Sequence, residues 1–257
     1  MSIELIKKEA QGKKKEDIIL FVHGAWHGAW VWEKYFMEYF SQAGYESYAL
    51  SFRGHGNSPS QKGLNRISMK DYLKDLLEVV DDLEQEPIII GHCMGGLVVQ
   101  KFLEQRSCKK VVLMASIPPQ GALRTILNIN LTRYYALVNV LRLNLYGLVN
   151  TPSKAKWALF SDNISEGELK DCTERVGGES FRVFLEMILP NVKVNYHDKI
   201  PMLVLGAEND HIITVKENQK TAAKYKAELK MMPNTAHNLM LDVENKLVAN
   251  EIITWLD

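Results

Sequence analysis

The sequence predicts an α/β protein, with a mainly parallel sheet and helices on both faces. Short apolar runs alternate along the chain with segments whose apolar residues recur at helical spacing. Glycine- and proline-rich turns such as RGHGNSPS (53–60) and IPPQG (117–121) punctuate the alternation. The chain has 257 residues, 46% hydrophobic and 24% charged, which suits a soluble protein with a large core. Strand–helix alternation implies crossover connections, hence parallel pairing with both sheet faces covered.

In chain order, IILFVHG (18–24) reads as a strand and WVWEKYFMEYFSQAG (30–44) as a helix. YESYALSF (45–52) is the next strand, and Ser68 caps a helix over 69–85. PIII (87–90) runs into GHCMGG (91–96) and a helix over 96–105, followed by the buried-type strand KKVVLMAS (109–116). Strands at 201–210 and 227–233 then bracket a helix at 215–226, and a last helix covers 244–257. The stretch 122–198 breaks the rhythm, with helical patterns at 122–143 and 180–189. It reads as a helical lid inserted into a core made of 1–121 and 199–257. Extra helices that merely buttress the core are the structural alternative.

Charge excludes some partners. With 31 basic and 31 acidic residues, no long-range field favours nucleic acid or an anionic membrane. The lysines at 7, 8, 13, 14 and 15 read as a solvated N-terminal edge. No apolar run approaches the roughly 20 residues of a membrane span, and no secretory signal is expected. The three cysteines, Cys93, Cys108 and Cys172, fit neither a disulfide framework nor a zinc site, and a reducing cytoplasm is the expected compartment. No motif implies a metal or cofactor. The oligomeric state stays open, a homodimer included.

The chemistry concentrates at GHCMGG. A strand, then G-x-nucleophile-x-G, then a helix forms a tight elbow that thrusts the central residue out at the helix N-terminus. Gly91 and Gly95 flank Cys93 there, and Gly96 lets the helix approach the strand. A helix N-terminus favours negative charge, so it favours the thiolate. A nucleophile needs a base, and His237 in PNTAHNLML (233–241) follows the last strand. An acid should orient that imidazole, and Asp210 ends LVLGAEND, with Glu208 and Asn209 close by. Asp210 is preferred because the I-I spacing after it fits best. Gly24 frees the backbone in FVHGAWHGAW (21–30), so the Ala25 amide can act as an oxyanion donor beside that of Met94. His23 is read as ordering this loop. His27, Trp26, Trp30 and Trp32 are read as packing, and His92, Arg53, His55 and Ser58 as structural.

These segments, HGAWHGAW, RGHGNS, GHCMGG, GAENDHII and AHNLML, resemble the α/β-hydrolase superfamily across nearly the whole chain. HGAWHGAW is similar to small esterases of the plant methylesterase and hydroxynitrile lyase group. The resemblance implies an α/β-hydrolase fold of about eight strands, with a helical lid after the sixth. It also implies Cys93 as nucleophile, His237 as base and Asp210 as acid, with Ala25 and Met94 as oxyanion donors. Three residues depart from the pattern. Cys93 stands where Ser is usual, Asn238 where the lyases carry lysine, and Thr214 where the acid loop often ends in proline.

A thiolate is more nucleophilic than a neutral hydroxyl, and the acyl-enzyme it forms is a thioester. Acylation from an unactivated ester is therefore uphill, whereas activated esters, lactones and thioesters face little such penalty. The sequence thus predicts a hydrolase of such substrates, its acyl group apolar. The alternatives are an acyltransferase through the same intermediate, a non-catalytic binding protein, or a serine esterase in which Cys93 is a substitution. Ile126, Leu131, Tyr134, Tyr135, Val138, Trp157, Phe160, Phe181 and Phe184 are expected to build the lid's own core, a few of them lining an acyl pocket.

Overall fold

The computed structural model describes residues 3–60, 63–125, 134–190, 192–193 and 200–257, with residues 134–137 described by backbone alone. Its strands are β1 (Leu5–Lys8), β2 (Ile18–Val22), β3 (Glu46–Leu50), β4 (Ile88–His92), β5 (Val111–Met114), β6 (Met202–Ala207) and β7 (Glu228–Met232). They form a 7-stranded sheet in the order β1-β3-β2-β4-β5-β6-β7. β1 runs antiparallel to β3, and the other pairs are parallel. β2, β4 and β5 are buried along their whole length, as strands covered on both faces must be.

The sheet has seven strands among the described residues, against the expected eight or so, and the helical insertion follows the fifth. The difference lies at the N-terminal edge, which contributes the single strand β1. Its side chains alternate between exposed and half-buried, and Lys7 and Lys8 pair with Glu9, Glu46 and Glu38. Charged side chains of this kind suit an edge strand, and they hid it in the sequence, where LIKK lacks an apolar alternation.

The predicted helix over 30–44 divides into Trp30–Glu33 and Phe36–Gln42, because Tyr35 leaves helical geometry (φ −138°, ψ −52°). Both pieces serve the core: Phe21 of β2 stacks on Trp32 at 4.8 Å and meets Phe36 and Phe40 edge-on. Ser68 caps the helix Met69–Asp82 through a capping box with Asp71. Between β5 and β6 lie the helices Tyr134–Leu141, Pro152–Leu159, Glu166–Arg175 and Phe181–Ile188. Thr151, Ser165 and Ser180 cap the last three. The 126–133 part of the helix expected over 122–143 lies outside the described residues. The inserted segment is tied to the core: Ser180 Oγ–H donates to the Ile67 carbonyl at 2.6 Å, and the Asn238 amide donates to Leu159 O at 2.8 Å. No helix among the described residues is long and apolar enough to cross a membrane.

Parallel strands place their carboxyl ends together, so the loops after β2, β4, β6 and β7 meet at one edge of the sheet. Close packing there leaves no room at Gly95, where a Cβ would overlap the carbonyl oxygens of His23 and, at 2.6 Å, Val22. Gly95→Ala is expected to lose about 1–3 kcal/mol or more of stability. Gly167, exposed in the first turn of the helix Glu166–Arg175 with nothing within 4 Å of its virtual Cβ, is the control. Gly167→Ala should gain up to about 1 kcal/mol. Urea midpoints of the two variants check the contrast, and equal shifts would contradict it.

Candidate active site

β4 ends at His92 and the next helix begins at Cys93, so the chain turns on the cysteine itself. Cys93 sits in the left-handed region at φ +50°, a conformation that costs a non-glycine residue about 1–2 kcal/mol. The surroundings hold it there. Its carbonyl accepts the Ile117 amide at 3.1 Å. Gly24, at the end of β2, approaches so closely that a Cβ on it would lie 2.8 Å from Cys93 Cβ and 2.8 Å from His92 Nδ1. The strain leaves Cys93 buried but on the wall of a cavity.

The loops after β6 and β7 are joined by the Asn209 amide donating to Thr235 O at 3.0 Å. That bond brings Asp210 to His237, whose Nδ1–H donates to Asp210 Oδ2 at 2.8 Å. The other carboxylate oxygen, Oδ1, accepts the amides of Ile212 (2.7 Å) and Ile213 (2.9 Å), which is the physical content of the I-I spacing after the acid. Glu208 and Asn209 point to solvent, so among the three acid-loop candidates only Asp210 meets the imidazole. Nε2 of His237 is buried with no hydrogen-bond partner of good geometry among the described residues. Burial opposes the charge on this ring, but the Asp210 carboxylate outweighs it, with further help from Cys93 nearby. The His237 pKa rises to about 10.

Three other histidines surround this pair, and burial holds each well below its ordinary pKa. Their hydrogen bonds identify the neutral tautomers. His23 Nε2 accepts the Phe52 amide at 3.0 Å, so Nδ1–H donates to the Gly24 carbonyl at 2.7 Å. His27 Nδ1–H donates to the Ala25 carbonyl at 2.6 Å, and its Nε2 accepts from Asn238 Nδ2 at 3.1 Å. His92 Nε2–H donates to the His237 carbonyl at 2.9 Å. His23 thus orders the loop as expected. His27, read from sequence as packing, also links that loop to the residue after His237.

The planar trans peptide turns these bonds into an orientation. With the Gly24 carbonyl drawn to His23, the Ala25 N–H of the same peptide points the opposite way, and Ala25 lines the cavity beside Cys93. Met94 is the second residue of its helix, and amides of a first helical turn have no acceptor within the helix.

The cavity at Cys93 measures about 80 Å³ and is almost wholly apolar. Trp26, Ile117 and Ile212 line it from the core, and Leu145, Leu148 and Phe184 from the inserted segment. Trp26, taken for packing in the sequence, also reaches across by donating Nε1–H to Leu145 O at 3.2 Å. Phe181 packs on Phe184, and Trp157 stacks on His211 at 5.2 Å. Ile126 and Leu131, and the side chains of Tyr134 and Tyr135, lie outside the described residues. Glu179, a buried carboxylate on the same wall, belongs to no motif and could not be found from sequence.

The profile of the alpha/beta hydrolase family matches residues 19–251. The chain belongs to that family. Among curated relatives, norfluorocurarine synthase 2 from Strychnos sp is 31% identical over 119 residues, 44% of this chain and 43% of that one. Methyl jasmonate esterase 1 from Vitis vinifera is 33% identical over 96 residues, 36% of each chain. The matched part therefore spans less than half the length of these relatives. Among solved structures, the Paleococcus ferrophilus monoacylglycerol lipase superposes with TM-score 0.75 at 20% identity, over 100% of this chain and 98% of that one. A thermophilic esterase from Thermogutta terrifontis gives TM-score 0.72 at 17% identity, over 99% and 93%. At such identities the likeness establishes the α/β-hydrolase fold.

Two measurements probe the site. His237 has its folded pKa raised above the ordinary 6.5, so its stabilising contribution is complete below 6.5 and is lost as pH rises towards 10. The stability margin of wild type over His237→Gln should shrink between pH 6.5 and 10, read from urea midpoints; a constant margin would contradict the assignment. Iodoacetamide is expected to label Cys93 first. Burial pushes the Cys108 and Cys172 thiols up to about 12, and neither lines the cavity. Peptide mapping of the first label on either of those residues would count against this.

Proposed function

We propose that the protein is a hydrolase of activated carboxylic esters, lactones or thioesters, working through Cys93, His237 and Asp210. The observation that carries this reading is the Asp210–His237 hydrogen bond, with a free imidazole nitrogen beside a cysteine on an apolar cavity wall. The family's esterase relatives support it. The inserted segment, 122–198, acts as a lid over the site, and the apolar lining selects an apolar acyl group.

In this mechanism the Cys93 sulfur attacks the carbonyl carbon, and the carbonyl π pair moves onto oxygen. The amides of Ala25 and Met94 donate to the oxyanion, a service worth about 2.7–4 kcal/mol per donor. As the tetrahedral intermediate collapses, His237 Nε2–H gives its proton to the departing alkoxide or thiolate, leaving a Cys93 thioester. Water then attacks that thioester, and His237 takes its proton. Collapse breaks the C–S bond and returns the sulfur to its starting form, with the acid released. Asp210 holds the ring so that Nε2 is the nitrogen facing the reaction. Charge favours this division of labour. A histidine whose pKa is raised by Asp210 and by Cys93 nearby keeps a proton ready for the departing group, whereas a neutral hydroxyl nucleophile would need an unprotonated base.

Intact-protein mass spectrometry during reaction with aryl esters and thioesters of graded acyl length tests the proposal. Wild type should gain a transient acyl mass on Cys93 and release free acid. Cys93→Ala should gain none, and His237→Ala should turn over about 10²–10⁴-fold more slowly. An adduct discharged only by an added alcohol, amine or thiol would identify an acyltransferase. A trapped adduct in wild type together with turnover by Cys93→Ser would identify a serine esterase in which Cys93 is a substitution. No adduct from any donor would indicate a binding protein.

A further inference from the structure

Among the described residues Glu179 is the one carboxylate on the wall of the Cys93 cavity, and only 3% of the residue is exposed. One of its oxygens is fully engaged. Oε1 accepts the Tyr72 hydroxyl at 2.9 Å and the Ser180 amide at 2.6 Å. Because Tyr72 spends its single proton on Glu179, the 2.8 Å contact between Tyr72 and His55 must be His55 Nε2–H donating to the phenol oxygen. The chain His55→Tyr72→Glu179 therefore aims its donors at Oε1. Burial and the Glu179 charge hold the Tyr72 phenol far above its ordinary pKa, so it keeps the proton it donates.

Oε2 is different. It is buried and accepts no hydrogen bond among the described residues; His55 Nε2 stands 3.4 Å away with its proton directed to Tyr72. A carboxylate oxygen left this way in an apolar wall is costly. The surroundings do not relieve the cost by moving it to water. Ser180 binds the Ile67 carbonyl and caps its helix, and so fixes the backbone beside Glu179. Glu179 lines the cavity it shares with Cys93.

We propose that Glu179 Oε2 is a specificity-determining anchor that accepts a hydrogen bond from a hydroxyl or ammonium group of the substrate, remote from the scissile carbonyl. The inference rests on the hydrolase reading of Cys93 and narrows it to apolar esters or thioesters that carry one hydrogen-bond donor. An apolar ligand without a donor fills the same space and leaves Oε2 unpaired, which is the basis of discrimination.

The test uses the full chain and matched phenyl esters of hexanoic, 3-hydroxyhexanoic, 6-hydroxyhexanoic and 6-aminohexanoic acids. Wild type should favour at least one donor-bearing ester over the hexanoate by about 10-fold or more in kcat/KM. Glu179→Leu should abolish or reverse that preference while still hydrolysing the plain hexanoate. Glu179→Gln, which keeps the shape but loses the charge, should lose preference for the ammonium ester far more than for the hydroxyl esters. Equal rates for all four esters in wild type would overturn the proposal, as would a preference that survives Glu179→Leu. If Glu179→Leu does not fold, the wild-type ranking and the Gln variant still decide the matter. Calorimetric binding of the same esters to Cys93→Ala separates this inference from the one beneath it. Tighter binding of a donor-bearing ester, dependent on Glu179, supports the anchor even if wild type hydrolyses nothing. Equal affinities overturn it even if hydrolysis is fast.

Discussion

The contact between the end of β2 and the start of the helix after β4 governs this site. Cys93 adopts a left-handed backbone only because Gly24 and Gly95 let two loops meet without intervening side chains. The register pairs Val22 with Gly91, which brings the two strand ends level. From that one approach follow the places of Cys93 and Ala25 on the cavity wall. A methyl group at Gly24 would press on Cys93, and one at Gly95 on the end of β2, so either would push the two loops apart. Close packing is here a condition of geometry as much as of stability.

Electrostatics at the site depends on one buried carboxylate. His92 and His237 rings lie 4.8 Å apart, and His27 and His92 6.3 Å. All share a water-poor environment that penalises charge. Only His237 has a carboxylate on its Nδ1, and only it is driven towards the cation. The others, held neutral, serve as geometric parts that fix carbonyls by donation. Four chemically identical side chains thus divide into one pushed towards the cation and three neutral brackets. Polar groups in such a cluster must each find a partner, and neither Glu179 Oε2 nor His237 Nε2 has one of good geometry among the described residues.

Legibility in the sequence followed the range of the forces involved. Cys93, Asp210 and His237 were readable because each stands just past an apolar run, flanked by residues that break it. Ser68 was readable as a cap because its partner, Asp71, is three residues away. β1 escaped notice because an edge strand with lysines has no pattern of its own, and the break at Tyr35 escaped because amphipathic spacing continues across it. Trp26 and Glu179 escaped for a different cause. Their significance lies in contacts with Leu145, 119 positions away, and Tyr72, 107 positions away.

The sequence by itself determined the alternation of strands and helices, the elbow at GHCMGG and the chain order of thiol, acid and imidazole. These depend on local sterics and periodicity, which neighbouring residues specify. Tertiary structure alone decided which histidines stay neutral and which wall of the cavity carries a carboxylate. Those outcomes depend on burial and on distances between segments remote in sequence, and a low-dielectric interior makes each of them a matter of a few ångströms.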